Sequence, residues 1–311
     1  MGFVVTVPPE QSGGPDDAHA MPVCVRHPDR PTGLRCTRCE RPACPECLRE
    51  ASVGYHCVDC LRQSRRETRQ PVTVAGARLG TKPVLVPVLI ALNIAIFLFT
   101  AVQAGSPTAN FRSELFQQWA MAPPPVAAGQ WWRVVTSGFL HQGMIHLLVN
   151  MVALWIVGRE LEMLLGRLRF LAVYLLGLLG GSLFVFLFGA VFAPVVGASA
   201  ALYGLFGGIA VAAWRLKLNM RPILLVIGIN VLLTVTIPGI SLLGHLGGLV
   251  LGTAATAALI YAPAHRRGMW QAGALAALLV VVLAAMLTRD AMLGDVVCGT
   301  LRGETQCVRL S

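Results

Sequence analysis

Charged side chains are scarce in this chain. Only 13% of its 311 residues are Asp, Glu, Lys or Arg, whereas 55% are hydrophobic. That balance leaves too little polar surface to cover a soluble globule of this size. The composition therefore argues against a soluble protein and predicts an integral protein of a lipid bilayer.

The N-terminus lacks the features of a cleavable secretory signal. Residues 1–20 have no basic n-region and no apolar h-region, and contain prolines, glycines and aspartates instead. Residues 1–22 are expected to be disordered, because such a segment buries too little apolar surface to offset its ordering entropy. We expect this end of the chain to stay in the cytosol.

Acidic residues are fewer than basic ones, so the net charge is +10. The Lys and Arg residues lie mostly in short gaps between apolar runs, where they determine membrane orientation. No nucleic-acid partner is expected from this distribution.

Seven of the nine cysteines fall within residues 24–60, in four metal-ligand pairs. The pairs are Cys24/His27, Cys36/Cys39, Cys44/Cys47 and Cys57/Cys60. A gap of two residues lets both side chains of a pair reach one tetrahedral Zn²⁺, so eight ligands predict two zinc ions. A disulfide cluster is the alternative, but the cytosol would keep these thiols reduced, and His27 has no role in a disulfide framework.

Residues 23–61, the finger, form a module with little core of its own, so we expect it to need its metal to fold. Spacing alone leaves open which pairs share an ion, and His56, beside Cys57, is a competing ligand. Such modules bind a partner or scaffold a structure, so the expected partner is a cytosolic protein.

Seven apolar segments follow a basic juxtamembrane linker at residues 62–83. They lie at about 84–103, 138–157, 170–192, 199–214, 222–237, 242–262 and 270–287. Most match the roughly 20 residues that cross a bilayer core, while the fourth and fifth need tilt or shelter inside a bundle. In the long gap before the second segment, the tryptophans are either an interfacial belt or part of a folded element pinned by Arg133.

Basic residues give the orientation. They follow the second, fourth and sixth segments, whereas the gaps around 193–198 and 238–241 carry neither Lys nor Arg. The positive-inside rule then predicts a multi-pass plasma-membrane protein with a cytoplasmic N-terminus and an extracytoplasmic tail at residues 289–311. In that oxidising compartment Cys298 and Cys307 form either a disulfide or two free thiols.

Four polar side chains stand inside the predicted spans: His146, Asn150, Ser199 and His245. Each needs a partner or a purpose, because polar groups are costly in hydrocarbon. Taken singly, each is most simply a satisfied structural group. All four, however, fall at a similar depth on spans that run in the same direction, which favours a shared site.

The chemistry of these groups suits peptide hydrolysis. A serine hydroxyl needs a base, and His245, among glycines, is the candidate for Ser199. Spans four and six carry no Asp or Glu, which favours a dyad in which Tyr203 stacks on the imidazole. His146, Asn150 and the Ser199 N–H are candidate oxyanion donors, and Gly197 lets the loop enter the membrane.

At these residues the sequence resembles the rhomboid family of intramembrane serine proteases. The matching residues, within 84–262, are Trp132-Arg133, His141, His146-x3-Asn150, Glu162 through Gly166, Gly197-x-Ser199 with Tyr203, and His245-x2-Gly248-x3-Gly252. The resemblance implies a six-helix protease core at 84–262. The predicted fold class is therefore an all-α polytopic membrane protein, with a seventh transmembrane helix at 263–288 and a small N-terminal zinc-binding module.

The resemblance also implies roles. Ser199 would be the nucleophile and His245 the general base, with His146 and Asn150 as oxyanion donors. His141 would be structural, and Glu162 would stabilise the cytosolic end of span two. Ala200 stands where many members have glycine. The substrates would be transmembrane helices with small or helix-destabilising residues near the cut.

The finger resembles a B-box-type cross-brace, which would pair Cys24 and His27 with Cys44 and Cys47. The remaining four cysteines would then share the second ion. A zinc module before a rhomboid core is an arrangement of the actinobacterial type.

Two other functions compete with proteolysis. A non-proteolytic rhomboid-like protein would bind membrane helices without cutting them, but inactive members typically lack the serine or the histidine, and both are present here. A transporter fits poorly, because the spans carry no acidic residues and the polar groups cluster at one depth.

Overall fold

The structure is a computed structural model that describes residues 21–67, 71–79, 82–189, 194–237, 239–293, 296–301 and 304–309. Contacts divide the chain into two compact units, Met1–Gln70 and Pro71–Ser311. Nearly all of the segment expected to be disordered lies outside the described residues, as do parts of the linker at 62–83. The finer domain boundaries stay predictions.

Two short hairpins and a helix make up the described part of the first unit. Strand β1 (Val23–Cys24) pairs antiparallel with β2 (His27–Pro31), and β3 (Leu48–Glu50) pairs antiparallel with β4 (Tyr55–Cys57), which leads into α1 (Val58–Glu67). The buried cluster of this unit consists of cysteines with a single alanine and a single leucine. An apolar core this small needs a metal or another cross-link to hold a fold.

The second unit is mostly helical. In chain order its helices are α2 (Leu85–Gln103), α3 (Glu114–Trp119), α4 (Pro123–Ala127), α5 (Arg133–Thr136), α6 (Met144–Ala153), α7 (Arg159–Leu165), α8 (Arg167–Phe188), α9 (Ser199–Arg215), α10 (Arg221–Thr236), α11 (Leu242–Ile260) and α12 (Arg267–Leu293). A π-helical turn joins α6 to α7, so Met144–Leu165 is one continuous helix.

Among the described residues, five helices are long and apolar enough to cross a membrane: α2, Met144–Leu165, α8, α11 and α12. Helices α9 and α10, with 17 and 16 residues, are shorter. Each of the seven predicted apolar segments overlaps one of these seven helices, although most of the helix ends differ from the predicted bounds. The protein is a multi-pass membrane protein.

The predicted bounds of the second span are wrong by several residues. The prediction was 138–157, but the helix runs over Met144–Leu165. Gly143, with a φ of 80°, breaks the backbone before it, and Ser137–Phe139 forms a separate 3₁₀ turn. Hydropathy missed this break because it averages over many residues and does not report backbone conformation, although polar His141 and Gln142 precede Gly143.

The loop between α2 and α6 is a folded element and not a bare aromatic belt. Helices α3, α4 and α5 lie within it. Arg133 is only 3% exposed, and its guanidinium donates to the carbonyl oxygens of Gln117 and Ala120 at 2.7 and 2.8 Å. The arginine therefore pins the loop, which is one of the two alternatives that the sequence left open.

Helices α8, α9 and α11 pack through glycines at the centre of the second unit. A Cβ added to Gly252 of α11 would lie 2.2 Å from the Cα of Gly204 on α9, and one added to Gly180 of α8 would lie 2.5 Å from the Gly247 carbonyl oxygen. Side chains at these positions would force the backbones apart. This close approach brings the first turns of α9 and α11 together.

A second strand pair follows α12. Strand β5 (Val296–Leu301) pairs antiparallel with β6 (Glu304–Arg309), and Cys298 stands opposite Cys307 in the register. Cys298 is disulfide-bonded. The all-α description therefore fits the membrane-spanning part, while short β-hairpins stand near both ends of the chain.

Candidate active site

The side chains of Ser199 and His245 are in direct contact. Ser199 is the first residue of α9, and His245 lies in the first turn of α11, which Ser241 caps by accepting from the Gly244 N–H at 3.1 Å. The Nε2 atom of His245 lies 2.8 Å from Oγ of Ser199. The imidazole is 7% exposed. This is the geometry that a base needs to take a serine proton.

Tyr203 supports the imidazole from α9. Its ring stacks on that of His245 with centroids 4.0 Å apart and planes inclined by 15°. Tyr203 comes four residues after Ser199, so both project from the same face of α9. The ring contact restricts the tilt of the imidazole plane.

Thr234 of α10 is a third contact of this histidine, and it is not among the residues that the sequence pattern predicted for the site. Its Oγ1 lies 2.8 Å from Nδ1 of His245 and 2.7 Å from the hydroxyl of Tyr203. The available signal was a polar residue inside an apolar span, but threonines are common in such helices because they bond back to their own helix.

His146 and Asn150 of α6 face the same cavity as Ser199. The Nδ1 atom of His146 accepts from the Gln142 N–H at 3.4 Å, which leaves Nε2 as the nitrogen that carries hydrogen. A Cβ added to Gly197 would lie 2.8 Å from that Nε2 and 3.7 Å from Oγ of Ser199. His146 Nε2 therefore points toward the backbone next to the serine.

Asn150 is 5% exposed, and its Nδ2 donates to the His146 carbonyl oxygen at 2.8 Å. A second N–H of the amide remains for another acceptor. The cavity has a volume of about 700 Å³, and its lining includes all four predicted polar residues. We call it the site cavity.

His141 and Glu162 have structural contacts. His141 is fully buried, and its Nε2 accepts from the Ala198 N–H at 3.5 Å, so it touches the loop before the serine. The carboxylate of Glu162 accepts from the N–H groups of Val84, Leu85 and Val86, at 2.7, 2.9 and 2.9 Å. Glu162 thus binds the N-terminus of α2, a partner that the sequence had not indicated.

Ala200 packs toward α8. A Cβ added to Gly181 would lie 2.5 Å from the Cβ of Ala200, so Gly181 makes room for this methyl group. Many members have a glycine directly after the serine. In this chain that position is Ala200, and the glycine lies on the facing helix, at Gly181.

The finger contains two groups of residues that could each hold a metal ion. One is Cys24, His27, Cys44 and Cys47, and the other is Cys36, Cys39, Cys57 and Cys60, with the ligand atoms of each group within 4.8 Å of one another. This grouping has the cross-brace pairing. His56 belongs to neither group.

The distances within each group suit a tetrahedral ion. Zn–S bonds of about 2.3 Å place two sulfurs on one ion about 3.8 Å apart, and the Cys36–Cys60 and Cys39–Cys57 sulfurs are each 3.8 Å apart. A hydrogen bond from the Cys44 backbone lowers the pKa of the Cys24 thiol to about 6, which favours the metal-binding thiolate at this residue, whereas burial raises the pKa of the Cys47 thiol to about 11.

Comparisons with known proteins identify a domain that includes these helices. Residues 128–262 match the family model for the Rhomboid domain. The chain is 34% identical over 229 residues to Rhomboid protease GluP of Bacillus subtilis (strain 168). The aligned residues make up 70% of this chain and 43% of that protein. It is 28% identical over 202 residues to RHOMBOID-like protein 4 of Arabidopsis thaliana, covering 55% and 51%.

A third relative is Rhomboid-related protein 3 of Homo sapiens, 35% identical over 114 residues, which are 37% of this chain and 28% of that protein. In these three comparisons the chain matches about half of the relative's length or less.

Apolar helices around a serine–histidine pair define a polytopic membrane protein with a hydrolase-like site. Residues 128–262 of this chain match the Rhomboid domain.

Proposed function

We propose that this protein is an intramembrane serine endopeptidase that hydrolyses peptide bonds in or near the transmembrane helices of other membrane proteins. The observation that carries the proposal is the 2.8 Å contact between Ser199 Oγ and His245 Nε2. The imidazole takes the hydroxyl proton as the oxygen attacks the peptide carbonyl, and then gives it to the leaving amine. Water hydrolyses the acyl-enzyme by the same route.

The negative charge on the attacked carbonyl oxygen needs donors. Ser199 begins α9, so its N–H has no partner within that helix. Together with His146 Nε2 and the second N–H of the Asn150 amide, it is our candidate oxyanion hole. Fixed donors of this kind contribute several kcal/mol, with one donor removed costing about 10²–10³ in rate.

The substrate class follows from the surroundings of the site. The dyad faces a cavity of about 700 Å³ among apolar helices. A peptide bond that reaches it must come from a segment that is stable in the bilayer and extends locally, because backbone groups in a regular helix are engaged in their own hydrogen bonds. Transmembrane helices with small or helix-destabilising residues meet that need.

We further propose that each ligand group of the finger binds a structural Zn²⁺. Closed sets of four Cys/His ligands are typical of structural zinc and leave no position for a substrate. The ions serve the fold of the finger, whose partner we propose to be a cytosolic protein. The orientation proposed for the chain is finger inside and C-terminal hairpin outside the plasma membrane.

The test is cleavage of a reporter protein with a single transmembrane helix, co-reconstituted with the full chain in liposomes. Ser199→Ala and His245→Ala should each lower the cleavage rate by about 10³-fold or more, because members of such a unit act together. The exposed His265 provides a matched control, and His265→Ala should cleave at the wild-type rate. A fluorophosphonate probe should label wild type at Ser199.

Undiminished cleavage by either dyad variant would refute the assignment. A wild-type chain that retains the reporter helix without cutting it, and that the probe does not label, would favour the alternative function, a non-proteolytic rhomboid-like protein that binds membrane helices.

A further inference from the structure

Thr234 is the one buried side chain of α10, all of whose residues the structure describes. It is 5% exposed, and its hydroxyl meets three polar atoms from three helices. These are Nδ1 of His245 at 2.8 Å, the hydroxyl of Tyr203 at 2.7 Å and the carbonyl oxygen of Asn230 at 2.8 Å. The side chain that α10 buries against the dyad therefore carries a hydroxyl group and is not purely apolar.

The proton count at this hydroxyl assigns the direction of each bond. A threonine hydroxyl has one proton and two acceptor positions, and a carbonyl oxygen only accepts. The Thr234 proton goes to the Asn230 carbonyl. The two remaining contacts are then donated to Thr234, one by the Tyr203 hydroxyl and one by Nδ1–H of His245. All three groups are satisfied by this arrangement.

We propose that Thr234 is a positioning residue that selects the tautomer of His245. With the hydrogen on Nδ1, Nε2 carries a lone pair and faces Ser199 Oγ, which is the form that accepts the serine proton. In soluble serine proteases a buried carboxylate does this. Helices α9, α10 and α11 contain no Asp or Glu, and a neutral hydroxyl avoids placing a charge in the bilayer.

Thr234 and Tyr203 restrict different motions of the imidazole. The stacked ring of Tyr203 limits tilt of the imidazole plane, whereas the bond from Nδ1 limits rotation within that plane. The two constraints come from α9 and α10, so His245 is held by side chains of two other helices. This inference deepens the proposed function and rests on it for the catalytic part.

The test compares Thr234→Val, which removes the hydroxyl at nearly constant shape, with Thr234→Ser, which keeps it. Thr236→Val is the matched control, because Thr236 is exposed on the same helix and bonds only to carbonyls of its own helix. Nitrogen-15 NMR of the histidine side chains at pH 8 reports the tautomer, with the His245 signals assigned by their loss in His245→Ala.

Wild type, Thr234→Ser and Thr236→Val should show His245 protonated at Nδ1 and not at Nε2, and Thr234→Val should lose that preference. The turnover number of Thr234→Val should fall about 10- to 100-fold with KM within about twofold, since a wrong tautomer impairs the chemical step and leaves binding intact. Thr234→Ser should stay within about threefold of wild type.

A wild-type His245 protonated at Nε2 would overturn the inference even if a variant failed to fold. So would Thr234→Val with wild-type turnover and tautomer. If wild type cut no reporter, the proposed function would fail, while the NMR signal would still decide the role of Thr234.

Discussion

Gly197 lies two residues before Ser199 and has a φ of 118°, a conformation that residues with side chains rarely adopt. The absence of a side chain also lets the His146 ring approach, because a Cβ at this position would lie 2.8 Å from its Nε2. Glycine is thus required at this position for two reasons, the positive φ of its backbone and the closeness of the His146 ring. From sequence alone, only its small size was evident.

We predict that Gly197→Ala lowers the rate of reporter cleavage by about 10- to 100-fold. The substitution strains the backbone by roughly 1–2 kcal/mol and displaces the His146 ring from the serine. Rates measured in liposomes check this, with protein amount normalised by the folded fraction in size-exclusion chromatography.

Gly228→Ala provides the control for that experiment. Gly228 lies within α10, and a Cβ added there meets no atom within 4 Å. Its variant should cleave at the wild-type rate. Equal rates for Gly197→Ala and wild type would show that the site tolerates a methyl group beside His146.

At the scale of elements, Glu162 shows how a side chain of one helix can hold another. Its carboxylate, 3% exposed, accepts three N–H groups at the first turn of α2, where the helix dipole is positive. The sequence resemblance implied that Glu162 stabilises the end of its own span. Its actual partner is 76 to 78 residues away, and no local pattern reports a contact of that kind.

We predict that Glu162→Ala destabilises the protein by about 2–4 kcal/mol, because three N–H donors at the start of α2, one of them buried, lose a charged acceptor. The melting temperature in detergent micelles should fall by several degrees. Glu160→Ala is the matched control from the same helix: Glu160 is 61% exposed and pairs with Arg159 at the surface. Its loss should cost less than about 1 kcal/mol. An equal melting temperature for both variants would contradict a capping role for Glu162.

At the scale of the whole molecule, the chain combines a metal-binding unit with a membrane unit, and each has its own buried clusters. The two units use cysteine differently. None of the seven finger cysteines is in a disulfide, whereas Cys298, near the other end, is disulfide-bonded. Reduced cysteines near one end and a disulfide near the other are expected when the two ends face compartments of different redox state, which supports the proposed orientation.

We predict about two zinc ions per chain, measured by inductively coupled plasma mass spectrometry after gentle purification. His27→Ala should retain about one, because it removes a ligand from one group only. His56→Ala should retain both. If the purified protein contained no zinc, the assignment of two cross-brace zinc sites would be wrong. If His56→Ala lost an ion, His56 would be a ligand.

The sequence by itself determined the properties that are local along the chain. These are the positions of the seven apolar segments, the four metal-ligand pairs, and polar residues near the ends of three spans. Hydropathy and short spacings suffice for them, because membrane insertion and the reach of a ligand pair depend on neighbouring residues.

Only the tertiary structure decided which distant groups meet. The start of α6 at Met144, the partner of Glu162, the packing of Ala200 against Gly181 and the contact of Thr234 with His245 all depend on how helices cross and rotate. Glycine contacts such as Gly204 with Gly252 set that geometry, and they act between backbones that lie far apart in sequence. The same serine and histidine in helices packed otherwise would be two isolated polar residues.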